Sequence, residues 1–419
     1  MRFADNSTPT GLVFYQPHAN IWFKNPVRKI LRNQRLPSKY EAFFDRALAG
    51  GNPVYLSSSL IRAPGLKGWL KYLLEPLEMV LWCGLNRVPL RRVGFVLRKQ
   101  ALAGKGALFL MHYGNFTHES KPAAAASRRL ATHLSDAPIR KVVHMTHYAY
   151  HPRIGADNLR ELRPDLLIAE NHLQHNSAFF RKFFEDLGAQ FRTLPYTAAA
   201  RFRNTTAFDA RTNKAVATGS ITYRLRVSEF VDFFGTDELQ PLRREIHDHA
   251  ADNVARIESM ISDLDASRSS DPAPRADSPL RSLARRLFGK HPQLGYYKKN
   301  IVAVYNSFTM FVVPEEVCDL PAIGFIEGMA CGCVYLGLDN PMYRDLGMTP
   351  GVHYLAYDGT LADLNRTIEC HQDGDGRRRL ERIAASGEDF ARRVMNSDAI
   401  YDGFLEDLTR AVARRPEGA

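Results

Sequence analysis

Short apolar runs alternate with longer segments of helical spacing along this chain, and that alternation leaves few architectures open. Six runs in the first half read as strands: "GLVFYQ" (11–16), "PVYLSS" (53–58), "GALFLMHYGN" (106–115), "KVVHMTHY" (141–148), "DLLIAEN" (165–171) and "AQFRTLPY" (189–196). Between them lie helix-spaced segments such as "NSAFFRKFFEDLG" (176–188), which ends on a glycine suited to a C-cap. Strand, helix, strand repetition specifies a parallel sheet clothed by helices. The pattern breaks near "TAAARFRNTT" (197–206) and restarts with "KAVATGSITY" (214–223), "FTMFVVPEE" (308–316) and "CVYLGLD" (333–339). Two α/β domains are expected, at 1–200 and 201–395, with a flexible insertion at about 264–280 rich in Ser, Pro, Asp and Ala. A C-terminal helix and polar tail (396–419) can pack back on the first domain. There is no internal repeat.

Composition narrows the partners rather than the fold. The 45% hydrophobic content suffices for two cores, and the net charge of +11 favours anionic partners: nucleotide phosphates, anionic lipid or nucleic acid. Five cysteines (83, 318, 331, 333, 370) are an odd number with no CxxC, which fits a reducing compartment. Cys331-Gly-Cys333 reads as small buried residues. The N-terminal segment lacks the basic start and apolar core of a secretory signal, and no apolar run approaches the ~18 residues of a membrane span. A cytoplasmic protein is expected, with peripheral attachment to the inner membrane face as an option. Residues 66–99 and the shorter "LRSLARRLFGK" (280–290) carry that option, being basic, apolar and amphipathic. A buried helix with snorkelling basic residues accounts for 66–99 equally well.

The stretch "VCDLPAIGFIEGMACGCVYLG" (317–337) sets a sharper problem. Pro321 suits a first helical turn, Asp319 stands close before it as a cap, and Gly332 ends the pattern before a strand resumes. From Pro321 to Cys331 every residue except Glu327 is apolar or glycine, so the helix is expected to be packed all round. Ile323, Ile326, Glu327 and Ala330 share one stripe, which sets the carboxylate among aliphatic side chains. An unpaired charge there would cost several kcal/mol, so either the protein or a ligand must supply donors. Asp319 at the helix entry and Glu327 two turns in can address two ends of one ligand, while glycines let its phosphates approach.

Those residues carry a resemblance. The run "PEEVCDLPAIGFIEGMACGCVYLG" resembles the nucleotide-sugar-binding signature of the group 1 glycosyltransferases, which have the GT-B fold: α/β, two Rossmann-like domains facing each other across a cleft. That signature is an acid, seven residues, a glutamate, then an "AMACG" helix end and a strand; here it is Asp319, seven residues, Glu327, then Gly328 through Gly332. Asp319 stands where Glu is common, and Gly328 where alanine is usual. "LGMTPGVHYLAYDG" (346–359) resembles the segment that follows, and the resemblance extends over about 296–370. It implies that Glu327 holds the ribose hydroxyls of a nucleotide and Asp319 approaches hydroxyls of the donor sugar. It further implies a basic pair near the diphosphate, for which Lys298, Lys299, Arg243, Arg244, Arg211 and Lys214 are candidates, although a lone Lys or Arg of this kind is more often a solvated surface charge. The backbone amides of Ala322, Ile323 and Gly324 are a further candidate anion site, provided the helix begins at Pro321.

The implied activity is transfer of a sugar, with retention, from a nucleotide-sugar donor to an acceptor hydroxyl on a cell-envelope glycan or glycolipid, as in polysaccharide biosynthesis. No metal, no separate cofactor and no nucleic-acid partner is expected. The alternatives are another GT-B enzyme, such as an inverting transferase or a sugar-nucleotide epimerase, or a non-catalytic protein that binds nucleic acid or membrane through its charge.

In the first domain "MHYGNFTHES" follows a strand, so His112 stands at a strand's carboxyl end, where α/β folds bind ligands. It is the first catalytic candidate there, ahead of His144, His147 and His151, although histidines at such ends are often structural. The acidic triplets at 263–265 and 373–375 read as surface segments. A strand followed by GxGxxG, a P-loop and GxSxG are all missing, which removes the usual sequence grounds for a dehydrogenase, kinase or serine hydrolase.

Overall fold

Why the central runs are uninterrupted apolar sequence becomes plain in the computed structural model: they are interior strands of parallel sheets, covered on both faces. The structure describes residues 11–15, 41–50, 53–57, 80, 83–84, 88–95, 108–117, 121–221, 224–263 and 300–413. The insertion at 264–280, the basic stretch 280–290, Lys298 and Lys299 lie outside these residues, as does most of 66–99. The chain divides into two compact units, one comprising Met1–Leu194 with Ile400–Ala419, the other Pro195–Ala399.

In the first unit, the described strands are β1 (Leu12–Tyr15), β2 (Val54–Ser57), β3 (Gly94–Phe95), β4 (Leu108–His112), β5 (Arg140–His144), β6 (Leu166–Ala169) and β7 (Gln190–Thr193). They form one parallel sheet in the order β3-β2-β1-β4-β5-β6-β7. The order reverses between β1 and β4, a switch point of the doubly wound kind that opens a crevice beyond the strands' carboxyl ends. Helices α1 (Glu41–Ala49), α2 (Lys121–Ser135), α3 (Pro152–Leu162) and α4 (Ala178–Phe184) belong to this unit. In α4 the Ser177 hydroxyl accepts the Phe180 amide, Phe179, Phe180, Phe183 and Phe184 are buried, and Gly188 closes the segment at φ 63°.

Among the described residues, the second unit holds β8 (Thr212–Ala217), β9 (Ser220–Ile221), β10 (Ile257–Ser259), β11 (Ser262–Asp263), β12 (Phe308–Val312), β13 (Val334–Leu338) and β14 (Leu355–Tyr357). Five of them form a parallel sheet ordered β10-β8-β12-β13-β14, and β9 pairs with β11. Its switch point lies between β8 and β12. The run expected as one strand over 214–223 is divided at Gly219, whose φ of 129° suits only glycine. Helices α5 (Pro241–Asp248), α6 (Ile301–Ser307), α7 (Gly324–Met329), α8 (Leu361–Glu369) and α9 (Gly374–Asp389) follow, and the core gathers Met310, Val312, Val334 and Leu336 with Leu364 and Leu380.

The last helix, α10 (Ser397–Ala413), joins the first unit from Ile400 onward. Phe43 of α1 meets the rings of Tyr401 and Phe404, and Arg46 Nε donates to Asp402 at 2.6 Å. Among the described residues no helix is long and apolar enough to cross a membrane.

Candidate functional site

β12 ends at Val312, and the chain then has to turn at the switch point of its sheet. It does so through a closed loop in which Glu316 N–H donates to Leu320 O (3.4 Å) and Asp319 N–H to Glu316 O (3.2 Å). Asp319 occupies the left-handed region at φ 60°, which costs a residue with a Cβ ~1–2 kcal/mol. The loop is tied down from outside as well, because Val317 N–H donates to Leu239 O and Gln240 Nε2 to Glu316 Oε1, both at 3.0 Å. Asp319 is half-buried, and its charge together with that of Glu316 adds to the effect of burial in raising the Cys318 thiol's pKa.

The helix that follows differs from expectation in two ways. It begins at Gly324 rather than Pro321, and no side chain caps it. The bridge from Glu316 to Leu320 keeps the chain out of helical geometry until Ala322 O accepts the Phe325 amide (3.0 Å). Ala322 and Ile323 therefore precede the helix, Asp319 is not its cap, and the three amides of Ala322, Ile323 and Gly324 do not make its first turn. Glu327, expected among aliphatic side chains, is half-buried instead, on the same face as half-buried Ile323. Phe325, Ile326, Gly328 and Met329 take the core side.

Glycines explain that rotation. A Cβ on Gly328 would stand 2.3 Å from Phe311 Cζ, and one on Gly324 would stand 2.8 Å from Val313 Cγ2. The helix thus lies flush on β12, and Glu327 is turned outward. Its charge still reaches Cys331, whose thiol is pushed up to about 12, first by burial and then by the Glu327 carboxylate, against the opposing charge of Arg211.

Arg243 of α5 lies on the same edge of the sheet. Its guanidinium passes beside Gly219, where a Cβ would stand 3.2 Å from Nε, and donates to Pro314 O (2.8 Å) and Ser220 O (3.1 Å). The carboxyl ends of β8 and β12 are thereby tied together, and the side chain is only 7% exposed. The other described basic candidates are held by the fold. Arg211 caps the carboxyl end of α7 through Gly332 O (2.7 Å) and Cys331 O (2.9 Å) and also bonds Asn204 Oδ1. Arg244 donates to Asp263 and pairs with Glu238, and Lys214 donates to Val254 O. Of the acidic triplets, Asp263 takes Arg244 and Asp373 caps α9 at the Gly376 amide, while Asp265 lies outside the described residues.

In the first unit, His112 ends β4 beside the switch point. Its Nδ1 accepts the Gly114 amide at 3.1 Å, and its ring stacks on that of His144, its register partner on β5, at 6.4 Å. His144 Nδ1 lies 2.7 Å from Thr146 Oγ1, which donates to Glu170 at 2.6 Å. His147 and His151 both adopt positive φ at the start of the segment entering α3.

Sequence reasoning passed over Glu315. This carboxylate lies three residues beyond the end of β12 and is 6% exposed. Its Oε1 accepts from Tyr335 Oη (2.6 Å), Tyr343 Oη (2.5 Å) and Leu338 N (3.2 Å), and its Oε2 from Tyr357 Oη (3.3 Å). Burial holds all three phenols well above their usual range, and the Glu315 charge adds to it. The only sequence signal was an acid at a strand's carboxyl end; its partners lie 20 to 42 residues away.

Beyond the amino end of β14 lies a cavity of about 420 Å³ lined by Gly351, Leu355, Thr367, His371 and Arg379. It is on the opposite edge of the sheet from Asp319 and Glu327, so it is no part of this site.

The sequence matches no protein-family profile and no curated protein. Solved structures resemble the chain over nearly its whole length, among them the following two. Anabaena HepE in complex with UDP and glucose aligns at 13% identity and a TM-score of 0.51, covering 96% of this chain and 100% of that one. Sucrose-phosphate synthase from Thermosynechococcus elongatus aligns at 11% identity and a TM-score of 0.53, covering 97% and 100%. Both are GT-B glycosyltransferases, and the fold class here is theirs: α/β, with two Rossmann-like units.

Proposed function

We propose that the chain is a glycosyltransferase that takes a nucleotide-sugar donor at the carboxyl edge of its second sheet. The observation that carries this reading is the pair Asp319 and Glu327, at the group 1 spacing, on the loop and helix leaving β12 at a switch point. Glu327, turned outward on α7, would accept hydrogen bonds from the ribose hydroxyls. Asp319, raised on a left-handed turn, would meet hydroxyls of the donor sugar. Glycine at 219 lets a diphosphate approach the backbone, and Arg243 beside it supplies positive charge as the leaving group departs. Lys298 and Lys299 stay in the proposal as further diphosphate contacts, and His112 as the first unit's candidate for acceptor binding.

The complex of HepE with UDP and glucose makes a uridine nucleotide the first donor to try. Retention, work without a metal ion, an envelope glycan or glycolipid as acceptor, and a cytoplasmic position on the inner membrane face through 66–99 and 280–290 complete the proposal. The test is thermal unfolding of the parent and Glu327→Ala with UDP, GDP, CDP, TDP and ADP. At about 100 times its dissociation constant a nucleotide adds about 2.7 kcal/mol, which raises the midpoint visibly. One nucleotide should shift the parent and leave the variant unmoved. A folded parent that responds to none of the five would defeat the proposal and favour a charge-driven binding protein.

A further inference from the structure

We infer that Glu315 is a positioning residue, whose buried carboxylate fixes the Asp319 loop for the donor without touching it. The inference rests on the donor site proposed above. A carboxylate this deeply buried is tolerable only when hydrogen bonds saturate it, and here four donors do so. The donors come from separate pieces of chain: Tyr335 from β13, Leu338 from its end, Tyr343 from the helical turn Pro341–Arg344, and Tyr357 from the end of β14. Among the described residues no cation forms a salt bridge with Glu315, so its partners are neutral and fixed in the interior. One residue further on, Glu316 closes the Asp319 loop and receives Gln240. The strained turn at Asp319 is thus held between an internal anchor at Glu315 and an external one at Leu239 and Gln240. A left-handed aspartate persists only where its surroundings over-determine it. Glu315 is the part of those surroundings that ties the loop to β13 and β14.

The test compares the full-length parent with Tyr343→Phe, Glu315→Gln and Glu315→Leu. Tyr343→Phe removes one donor, glutamine keeps one acceptor oxygen, and leucine keeps none. Backbone amide hydrogen exchange over 313–327 reads the loop with no ligand present, and titration with the five nucleoside diphosphates and then the matching nucleotide-sugar reads the site. Exchange at Val317 and Asp319 should rise about tenfold or more in Tyr343→Phe and Glu315→Gln, while Val216 and Met310 in the sheet keep the parent's protection. Affinity for the nucleotide-sugar built on the nucleotide the parent binds, UDP-glucose where that is UDP, should fall about tenfold in the same variants and further in Glu315→Leu, at temperatures well below unfolding. If Glu315→Leu does not fold, the two conservative variants decide. Unchanged exchange in both overturns the inference, and so does faster exchange with parental affinity. A parent that binds none of the five nucleotides shows instead that the donor site has failed, before any Glu315 variant is measured, and the inference falls with it.

Discussion

Replacing Gly328 by alanine would install the residue usual in the signature that this stretch resembles, and the structure predicts that it destabilises this protein. The new Cβ would meet Phe311 Cζ at 2.3 Å, Cε2 at 2.5 Å and Cε1 at 2.6 Å, whereas ordinary contact begins near 3.4 Å. Ring or helix must therefore move by about 1.1 Å. The ring has little freedom to do so, since Tyr305 and Tyr335 pack against it at centroid distances of 5.0 and 5.2 Å and Phe311 is fully buried. Overpacking of this kind costs ~1–3 kcal/mol, and the better helix propensity of alanine returns ~1 kcal/mol. Three ring carbons in collision argue for the upper end, leaving a net loss of about 2 kcal/mol. For a unit of this size that lowers the midpoint by about 4–8 °C. Calorimetry on the full chain measures it, with tryptophan fluorescence as an internal control, because Trp22, Trp69 and Trp82 all precede the second unit. In a double-mutant cycle Phe311→Leu should make the alanine tolerable, with a coupling of about 1–2 kcal/mol. Gly328→Ala melting at or above the parent, or a cycle without coupling, would refute the flush packing of α7 on β12.

Arg211→Lys should destabilise the second unit by about 3 kcal/mol or more, since one ammonium cannot serve the carbonyls of Cys331 and Gly332 together with Asn204; calorimetry of that variant checks it, and a parental midpoint would contradict it. Titration of native thiols with Ellman's reagent at pH 8 should count one fast group, exposed Cys370, and five after unfolding. The other four are buried, with Cys83 and Cys331 pushed up to about 12 and Cys318 and Cys333 raised as well. Burial lowers the pKa of His353 from 6.5 despite the nearby Asp389 charge, and its Nδ1 accepts the Thr349 amide. The unfolded chain then takes up that proton first, so His353 should reduce stability as pH falls from 6.5 towards the lowered value, with no further change beyond it. His353→Asn should flatten that part of a midpoint-against-pH profile, and an unaltered slope would contradict the assignment.

Strands buried on both faces were legible because their apolar runs need no partner to be recognised: "GLVFYQ" (11–16) and "GALFLMHYGN" (106–115) contain β1 and β4, overshooting them by one to three residues at each end. Short strands were not, since Gly94–Phe95 and Ile257–Ser259 carry too few residues to show a period and exist only through their neighbours. The signature pair was legible as spacing but not as geometry. A proline at 321 looks like a helix start, yet the bridge between Glu316 and Leu320 and the left-handed Asp319 delay the helix to Gly324. Likewise, an apolar surround suggested a buried Glu327, while two glycines pressed against Val313 and Phe311 turned it outward. Glu315 could not be found by any local pattern, because its donors are gathered from β13, β14 and the turn between them by the fold itself.

A crystal structure of the protein with the nucleoside diphosphate that raises its melting point would decide whether the two acids form one donor site. The expected density has the ribose hydroxyls against the Glu327 carboxylate and the diphosphate beside Gly219 and Arg243. A nucleotide bound elsewhere, for example in the cavity beside Arg379 and His371, would contradict it.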